Sequence, residues 1–224
     1  ASSFLHGTDI AQTARRSLSQ VLFADDFWRL ARQHVNLVFV SVLAAVLLGV
    51  PGGVAAALLP RFGVALLAVV GALQTIPSLA LLALLITAIG AIGTVPALVA
   101  LFCYALLPIV RNTSVGVERI PDGIREAAAA LGIRGARRIW LVDLPLALPV
   151  ILAGVRTAAV INVGTATIAA FIGAGGFGER IAVGLALNDR EMLLAGALPA
   201  AALAFLVEGL FAALERWVAR RHGG

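Results

Sequence analysis

Lysine is absent from this 224-residue chain, and charge of either sign is scarce. Only 13% of residues are ionised at neutral pH, against about 25% in an ordinary soluble domain. A single cysteine, Cys103, excludes disulfides within the chain and thiol metal centres. Aromatic residues are thin at 6%, with one tyrosine and three tryptophans. Aliphatic residues fill the space instead: 61% of the chain is hydrophobic and its mean hydropathy is +1.00. A soluble globule, at about 45 to 50% apolar, is excluded. Residues 33 to 60, 62 to 110, 157 to 178 and 192 to 207 contain no Asp, Glu or Arg, and uninterrupted apolar stretches of that length are membrane spans.

The stretch from 62 to 110 would form a helix of about 74 Å at about 1.5 Å per residue, more than twice the ~30 Å hydrocarbon core, so it must cross twice. Its turn is expected at Gly90-Ala-Ile-Gly93-Thr94, before Pro96. With spans at 33 to 59, 145 to 172 and 190 to 217, the first pair divided at Pro60-Arg61, the chain reads as an all-α polytopic membrane protein of about five transmembrane helices. An odd number of crossings puts the termini on opposite sides. Residues 1 to 32 then form an N-terminal extramembrane segment, 33 to 218 the membrane domain, and 219 to 224 a cytoplasmic tail.

All seventeen basic residues are arginine, and basic loops near span ends tend to stay cytoplasmic. With the C-terminus inside, inner segments hold eleven of them, Arg156 included, and outer segments six: Arg15, Arg16, Arg29, Arg32, Arg180 and Arg190. The bias predicts N-out, C-in insertion in a bacterial or archaeal cytoplasmic membrane. The net charge of +5 reflects this topology signal and not a nucleic-acid surface, because the arginines sit at span ends and in one central loop without interleaved aromatics. The first apolar run is long and begins only after thirty mixed residues, unlike a cleaved signal.

No G-x-x-x-x-G-K-[ST] phosphate loop is present, so any ATPase is another chain and no cofactor is expected in this one. Gly173-Ala-Gly175-Gly176-Phe-Gly178 matches G-x-G-x-x-G but follows a membrane helix, where a dinucleotide site would follow a strand. A flexible break at the outer face is the better reading, since glycine tolerates positive φ and close backbone approach. His6, His34 and His222 are far apart, and no carboxylate pair has metal-ligand spacing. No catalytic residue or metal site is expected.

One polar island carries the chemistry: nine charges between Glu118 and Asp143. Pro121 and Asp122 make a sound helix start, because proline in the first turn loses no hydrogen bond and the carboxylate faces the positive end of the helix dipole. Ile120, Ile124, Ala127, Ala128 and Leu131 form an apolar stripe at helical spacing, and Gly132 follows where a left-handed residue commonly closes a helix. A second helical run, Gly135 to Val142, is expected to end before Pro145. Isolated helices of about eleven residues are marginal in water, so something must dock against the first. Ala127 to Ala130 give it a low-relief surface suited to a partner's groove; the alternative is a helix lying on lipid headgroups.

The spacing Glu126-Ala127-Ala128, three residues, Gly132, nine residues, Val142, Leu144-Pro145 resembles the cytoplasmic EAA loop of binding-protein-dependent ABC importer permeases, with Val142 where isoleucine is usual. QTIPSLALLALL at 74 to 85, YALLPIVRNTSVGV at 104 to 117, LPLALPVILAGVRTA at 144 to 158 and IGAGGFG at 172 to 178 resemble the permeases of osmoprotectant importers, which carry glycine betaine, choline, carnitine or related solutes. The resemblance runs from about residue 33 to 218. It implies that Glu126, Ala127, Ala128 and Gly132 couple the chain to an ATPase. It further implies two ATP-binding subunits inside, a second permease subunit and a solute-binding protein outside.

Polar side chains inside spans face a cavity or another helix by default. The candidates for the translocation pathway are Gln74, Thr75 and Ser78 around a kinking Pro77, Tyr104 and Asn112, and Asn162, Thr165 and Thr167. The threonines and Ser78 can equally bond back to their own helices. Asn162 is the sharpest candidate, because an amide has too many donors and acceptors to satisfy within one helix. Glu208 reads as an interhelix anchor near the inner end. Aromatic cages select quaternary ammonium groups. Trp28, Trp140 and Trp217 sit near span ends or in the inner loop, so specificity rests mainly on the binding protein. An amino-acid importer of the methionine type would show much the same loop. An ATP-independent carrier or channel and a membrane scaffold are the rivals outside the class; uncharged spans count against an ion-coupled carrier, and a scaffold needs no EAA spacing.

Overall fold

The computed structural model describes residues 17–222, all in helices and short connections with no strand among them. Arg15, Arg16, His6 and the rest of residues 1–16, together with 223–224, lie outside the described residues. A short α1 (Leu18–Leu22) leads into α2 (Phe27–Leu58), then α3 (Pro60–Thr75), α4 (Ser78–Ile89) and α5 (Thr94–Glu118). The polar island forms α6 (Asp122–Ala130) and α7 (Gly135–Arg138), and α8 (Leu144–Ala169), α9 (Gly178–Leu187) and α10 (Arg190–His222) complete the chain.

Among the described residues, four helical stretches are long and apolar enough to cross a membrane: Phe27–Leu58, Thr94–Glu118, Gly135–Ile172 and Arg190–Val218. The fifth expected span is a pair, α3 and α4, bent by 103° at Ile76-Pro77, where the sequence suggested only a kink. Contacts show that the pair still returns the chain from one end of the bundle to the other. Asn162 joins Ser41 of α2 to Leu101 of α5, and Gly49 and Gly53 of α2 face Ile109 and Thr113 of α5. That constant offset of 60 means that α2 and α5 run parallel, so α3 and α4 must travel back between them. The start of α2 and the end of α10 consequently lie at opposite ends of the bundle. Turn positions also match: Gly90 closes α4 in the left-handed conformation, and α5 starts after Gly93.

The helices overrun the apolar windows. α2 begins at Phe27 and not near 33, and α10 continues to His222. Hydropathy marks where lipid ends, and a helix ends only where its backbone bonds do.

α5 is the central helix, flanked by α2 and α8 over their length. Small residues make that possible: a β-carbon on Gly53 would lie 2.7 Å from the Val110 carbonyl oxygen, and one on Gly154 of α8 would lie 2.7 Å from that of Pro108. Close backbone approach of this kind is how helices associate in lipid, where burial of apolar surface drives nothing.

Proline removes an amide and frees the carbonyl four residues earlier. At Pro108 of α5, the freed oxygen of Tyr104 accepts from Gln74 Nε2 at 2.9 Å. At Pro199 of α10, the freed oxygen of Ala195 is approached by Arg180 Nη1 at 3.4 Å. The second interior helix also departs from expectation: α7 does not stop before Pro145 but runs through a π turn, Ile139–Asp143, into α8. Leu144 donates to Ile139, five residues back, immediately before Pro145, which has no amide to donate.

Arg156 lies within a helix and not in the polar loop. It lies twelve residues into α8, about 18 Å beyond Leu144, where it pairs with Glu208 (3.5 Å) and Glu215 (3.3 Å) of α10. It is an anchor between α8 and α10. Glu208 is its partner at the same depth, and the spans are not free of charge.

Candidate functional site

The polar island is built from its two ends. At the α5 end, Ile120 is buried, and Arg125 reaches back from α6 to donate to the Val117 carbonyl at 2.7 Å. That carbonyl is among the last four of α5, which have no partner within their helix. Arg125 also pairs with Asp122 at 3.6 Å in the first turn of α6. At the other end, Arg138 of α7 donates through Nε to Asp143 Oδ2 at 3.1 Å, and Asp143 has no accessible surface.

Between these anchors α6 closes with a Schellman motif. The amide of Gly132 bonds the Ala129 carbonyl at 3.0 Å and that of Ile133 bonds the Ala128 carbonyl at 2.9 Å, with Gly132 at φ +75°. A β-carbon at Gly132 would meet nothing within 4 Å, so its glycine answers to backbone conformation alone. The apolar stripe divides: Ile120 and Ala128 turn inward, while Ile124, Ala127 and Leu131 are exposed, Leu131 at 79%. Glu126 is exposed too. The chain therefore presents a short helix, fixed at both ends, with an outward face of small and apolar residues that it leaves uncovered.

Gln74 and Tyr104, both expected on the pathway, meet in a reciprocal clasp. Gln74 Nε2 donates to the Tyr104 carbonyl, and Tyr104 Oη donates to the Ile76 carbonyl at 2.5 Å. The pair pins the α3–α4 break onto α5. Asn162 has no accessible surface; its Nδ2 donates to Ser41 Oγ at 2.9 Å and to the Leu101 carbonyl at 3.1 Å. It crosslinks three helices inside the protomer. Asn112 donates to the Pro108 carbonyl at 2.8 Å, beside Gly154. Thr75, Thr165 and Thr167 bond back to their own helices, to Ala72, Ile161 and Gly164. Thr75 is exposed, whereas Ser78 and Thr165 are half-buried.

The opposite end of the bundle is fastened by residues that sequence reasoning did not single out. Arg180, 4% exposed, donates to Asp26 Oδ1 at 2.6 Å and to the Leu22 carbonyl at 2.9 Å. The Arg180 guanidinium holds the Asp26 carboxyl below its ordinary value. Arg29 pairs with Glu179 at 3.0 Å. The glycine-rich segment is not a flexible break: Ala174 to Gly178 are buried, and β-carbons on Gly175 and Gly176 would lie 2.6 Å from Gln33 Oε1 and 3.0 Å from His34 Nδ1. Its glycines let the loop lie flat on α2. The signal available for Arg180 was a lone arginine between an apolar glycine loop and an apolar helix.

A family model described as a binding-protein-dependent transport system inner membrane component matches residues 49–220. The chain belongs to that family. It is thus an inner-membrane transport component of the permease fold. The choline transport system permease protein OpuBB of Bacillus subtilis is 40% identical over 184 residues, covering 82% of this chain and 84% of that protein. The glycine betaine/carnitine/choline transport system permease protein OpuCB of the same organism is 40% identical over 186 residues, covering 83% and 85%. The osmoprotectant import permease protein OsmW of Salmonella typhimurium is 43% identical over 187 residues, covering 82% and 87%. In three dimensions, a chain of the inward-facing MetNI methionine ABC transporter superposes with a TM-score of 0.75 at 24% identity, over 86% of this permease and 97% of that chain. At that identity the likeness speaks for the fold.

Proposed function

We propose that this permease is the membrane subunit of an ATP-driven importer of osmoprotectants such as glycine betaine, choline or carnitine, and that α6 is its docking element for a partner ATPase. The observation that carries the docking site is the uncovered face of α6, held rigid by Arg125 at one end and by the Gly132 motif at the other. The solute class is supported by the names of relatives that match four fifths of the chain.

Two ATP-binding subunits would receive Glu126, Ala127, Ala128 and Gly132 on the inner side. A second permease subunit and an extracytoplasmic solute-binding protein would complete the assembly, with the N-terminus out and the C-terminus in. A displacement of α6 would act on α5 through Arg125 and on α8 through the unbroken helix from Gly135 to Ile172. Among the polar pathway candidates, Thr75, Ser78, Thr165 and Thr167 retain accessible surface, make no side-chain hydrogen bond to another helix among the described residues, and would line the route. Gln74, Tyr104, Asn112 and Asn162 would shape it by holding the helices that border it.

The test is Glu126→Lys in proteoliposomes containing the assembled transporter, with uptake of radiolabelled glycine betaine, choline and carnitine measured beside binding-protein-stimulated ATP hydrolysis. Reversing one charge at the docking face should cut both about tenfold, the effect of about 1.4 kcal/mol. Wild-type rates in the variant would remove α6 from the coupling role and leave it a headgroup-bound helix. Failure of the wild-type assembly to take up any of the three solutes would overturn the solute class.

A further inference from the structure

Helices α2, α8 and α10 leave between them an apolar groove of about 510 Å³, formed by residues such as Val42, Ala159, Val163, Phe39, Leu206 and Phe211. At the end where α2 begins, it continues into a second recess bordered by Trp28, Arg32, Gln33 and Asn36, and the two share Val35 and Phe39. The combined feature is amphipathic along one axis, polar at its mouth and hydrocarbon below.

Its depth is informative. On α2 the apolar lining runs from Val35 to Val46, eleven residues or about 16 Å of helix, and one leaflet of hydrocarbon is about 15 Å deep. His34 bonds the Val163 carbonyl at 3.0 Å, which sets the top of the α8 wall level with Val35. Arg32 stands about one turn above that level, at headgroup height, and Trp28 a further turn above, where tryptophan commonly anchors. A separate apolar groove of about 480 Å³ follows from Val50 of α2 to Leu59, against Ile139, Trp140 and Leu144, so it is the charge at the mouth, and not the length of the groove, that distinguishes a lipid from a partner's helix.

The charge at the mouth is also one-sided. Arg32 is exposed and has no ion-pair partner among the described residues, and no acid borders the recess. The nearby carboxylates Asp26 and Glu179 are held by Arg180 and Arg29. Exposed Asn36 adds an uncharged donor.

We propose that this recess binds one anionic phospholipid, its phosphate on Arg32 and an acyl chain laid along α2 as far as Val46. The site depends on the chain's membrane location and not on the solute carried or on the α6 docking surface. The lipid would bridge α2 and α10, which both pack on α8 but scarcely meet each other, and so fix the position of α10.

Native mass spectrometry of the purified full chain, titrated with phosphatidylglycerol or phosphatidylethanolamine of identical acyl chains, tests the headgroup. One phosphatidylglycerol should bind about fivefold more tightly than phosphatidylethanolamine, the preference expected of one arginine at a lipid surface. Arg32→Gln should bring that ratio to about one. Equal binding of both lipids by the wild type, or an unchanged ratio in Arg32→Gln, would overturn the proposal. A photoreactive benzoylphenylalanine at Leu206, an exposed rim position, tests the groove in intact membranes without emptying it. Adducts of phospholipid mass on Leu206, more abundant than on Phe205 of the same helix, which does not line the groove, support it. Adducts with a second copy of the chain or another polypeptide would show that protein occupies the groove and would sink it.

Discussion

Gln74→Leu should destabilise this permease through an atom that belongs to another helix. The Gln74 amide donates to the Tyr104 carbonyl, which Pro108 deprives of its normal backbone donor. Leucine nearly preserves volume, so the main effect is an orphaned acceptor, worth about 1 to 3 kcal/mol in a protein interior. Interhelical hydrogen bonds in membranes average nearer ~0.6 kcal/mol, with a maximum of ~1.7, which places the expected loss at about 1.5 kcal/mol. For a chain of this size that is a drop of about 3 to 6 °C in Tm. Pro108→Ala supplies the missing amide to the same oxygen. In the double variant the loss should fall to within ~0.5 kcal/mol of Pro108→Ala alone, giving a coupling energy of about 1 kcal/mol. The assay is thermal unfolding in a defined detergent, followed by circular dichroism for the four members of the cycle. Strict additivity would refute the reasoning, because the vacancy left by proline would then not be what Gln74 fills.

Gly132→Val should lose transport while inserting normally, because a left-handed residue costs about 1 to 2 kcal/mol outside glycine and more with β-branching; Gly132→Asn, which tolerates that conformation, should keep most uptake. Equal uptake by the two variants would dissociate the cap from coupling. Gly178→Ala should cost about 3 kcal/mol and lower the yield of folded protein, since its β-carbon would clash with the Thr167 backbone carbonyl oxygen; a wild-type melting temperature would contradict the packing described for this loop. The Asp26 carboxyl is depressed in the folded state by Arg180, so its contribution is present above the ordinary carboxylate value of 3.8 and is lost as pH falls through the lower, folded value. Trp28 fluorescence in a Trp140→Phe, Trp217→Phe background should therefore be flat from pH 7 to 5 and change only in stronger acid. Asp26→Asn should abolish the part of that change due to this pair, and an identical acid transition in the variant would rule the pair out.

Hydropathy and charge were enough to define the class, the number of passes through the bundle and the location of the polar island. These depend on single-chain properties: an apolar stretch longer than a bilayer must cross it, and nine charges between two spans must stay out. The EAA spacing was equally legible, because a helix start at Pro121 and a left-handed glycine at 132 are local backbone facts. The individual fates of the polar residues were not. Asn162, Gln74 and Tyr104 look alike in sequence, as polar groups in apolar helices, and whether such a group meets a pathway or another helix depends on partners 28 to 121 residues away. The partners of Arg156 were hidden for the same reason: its place at the edge of an apolar window does not show that Glu208 and Glu215 are brought against it. Sequence fixes what each residue can bond, and a charge or amide in lipid must bond something. Only the packing of α2, α5, α8 and α10 decides which partner arrives, because that choice is made between helices and not within them.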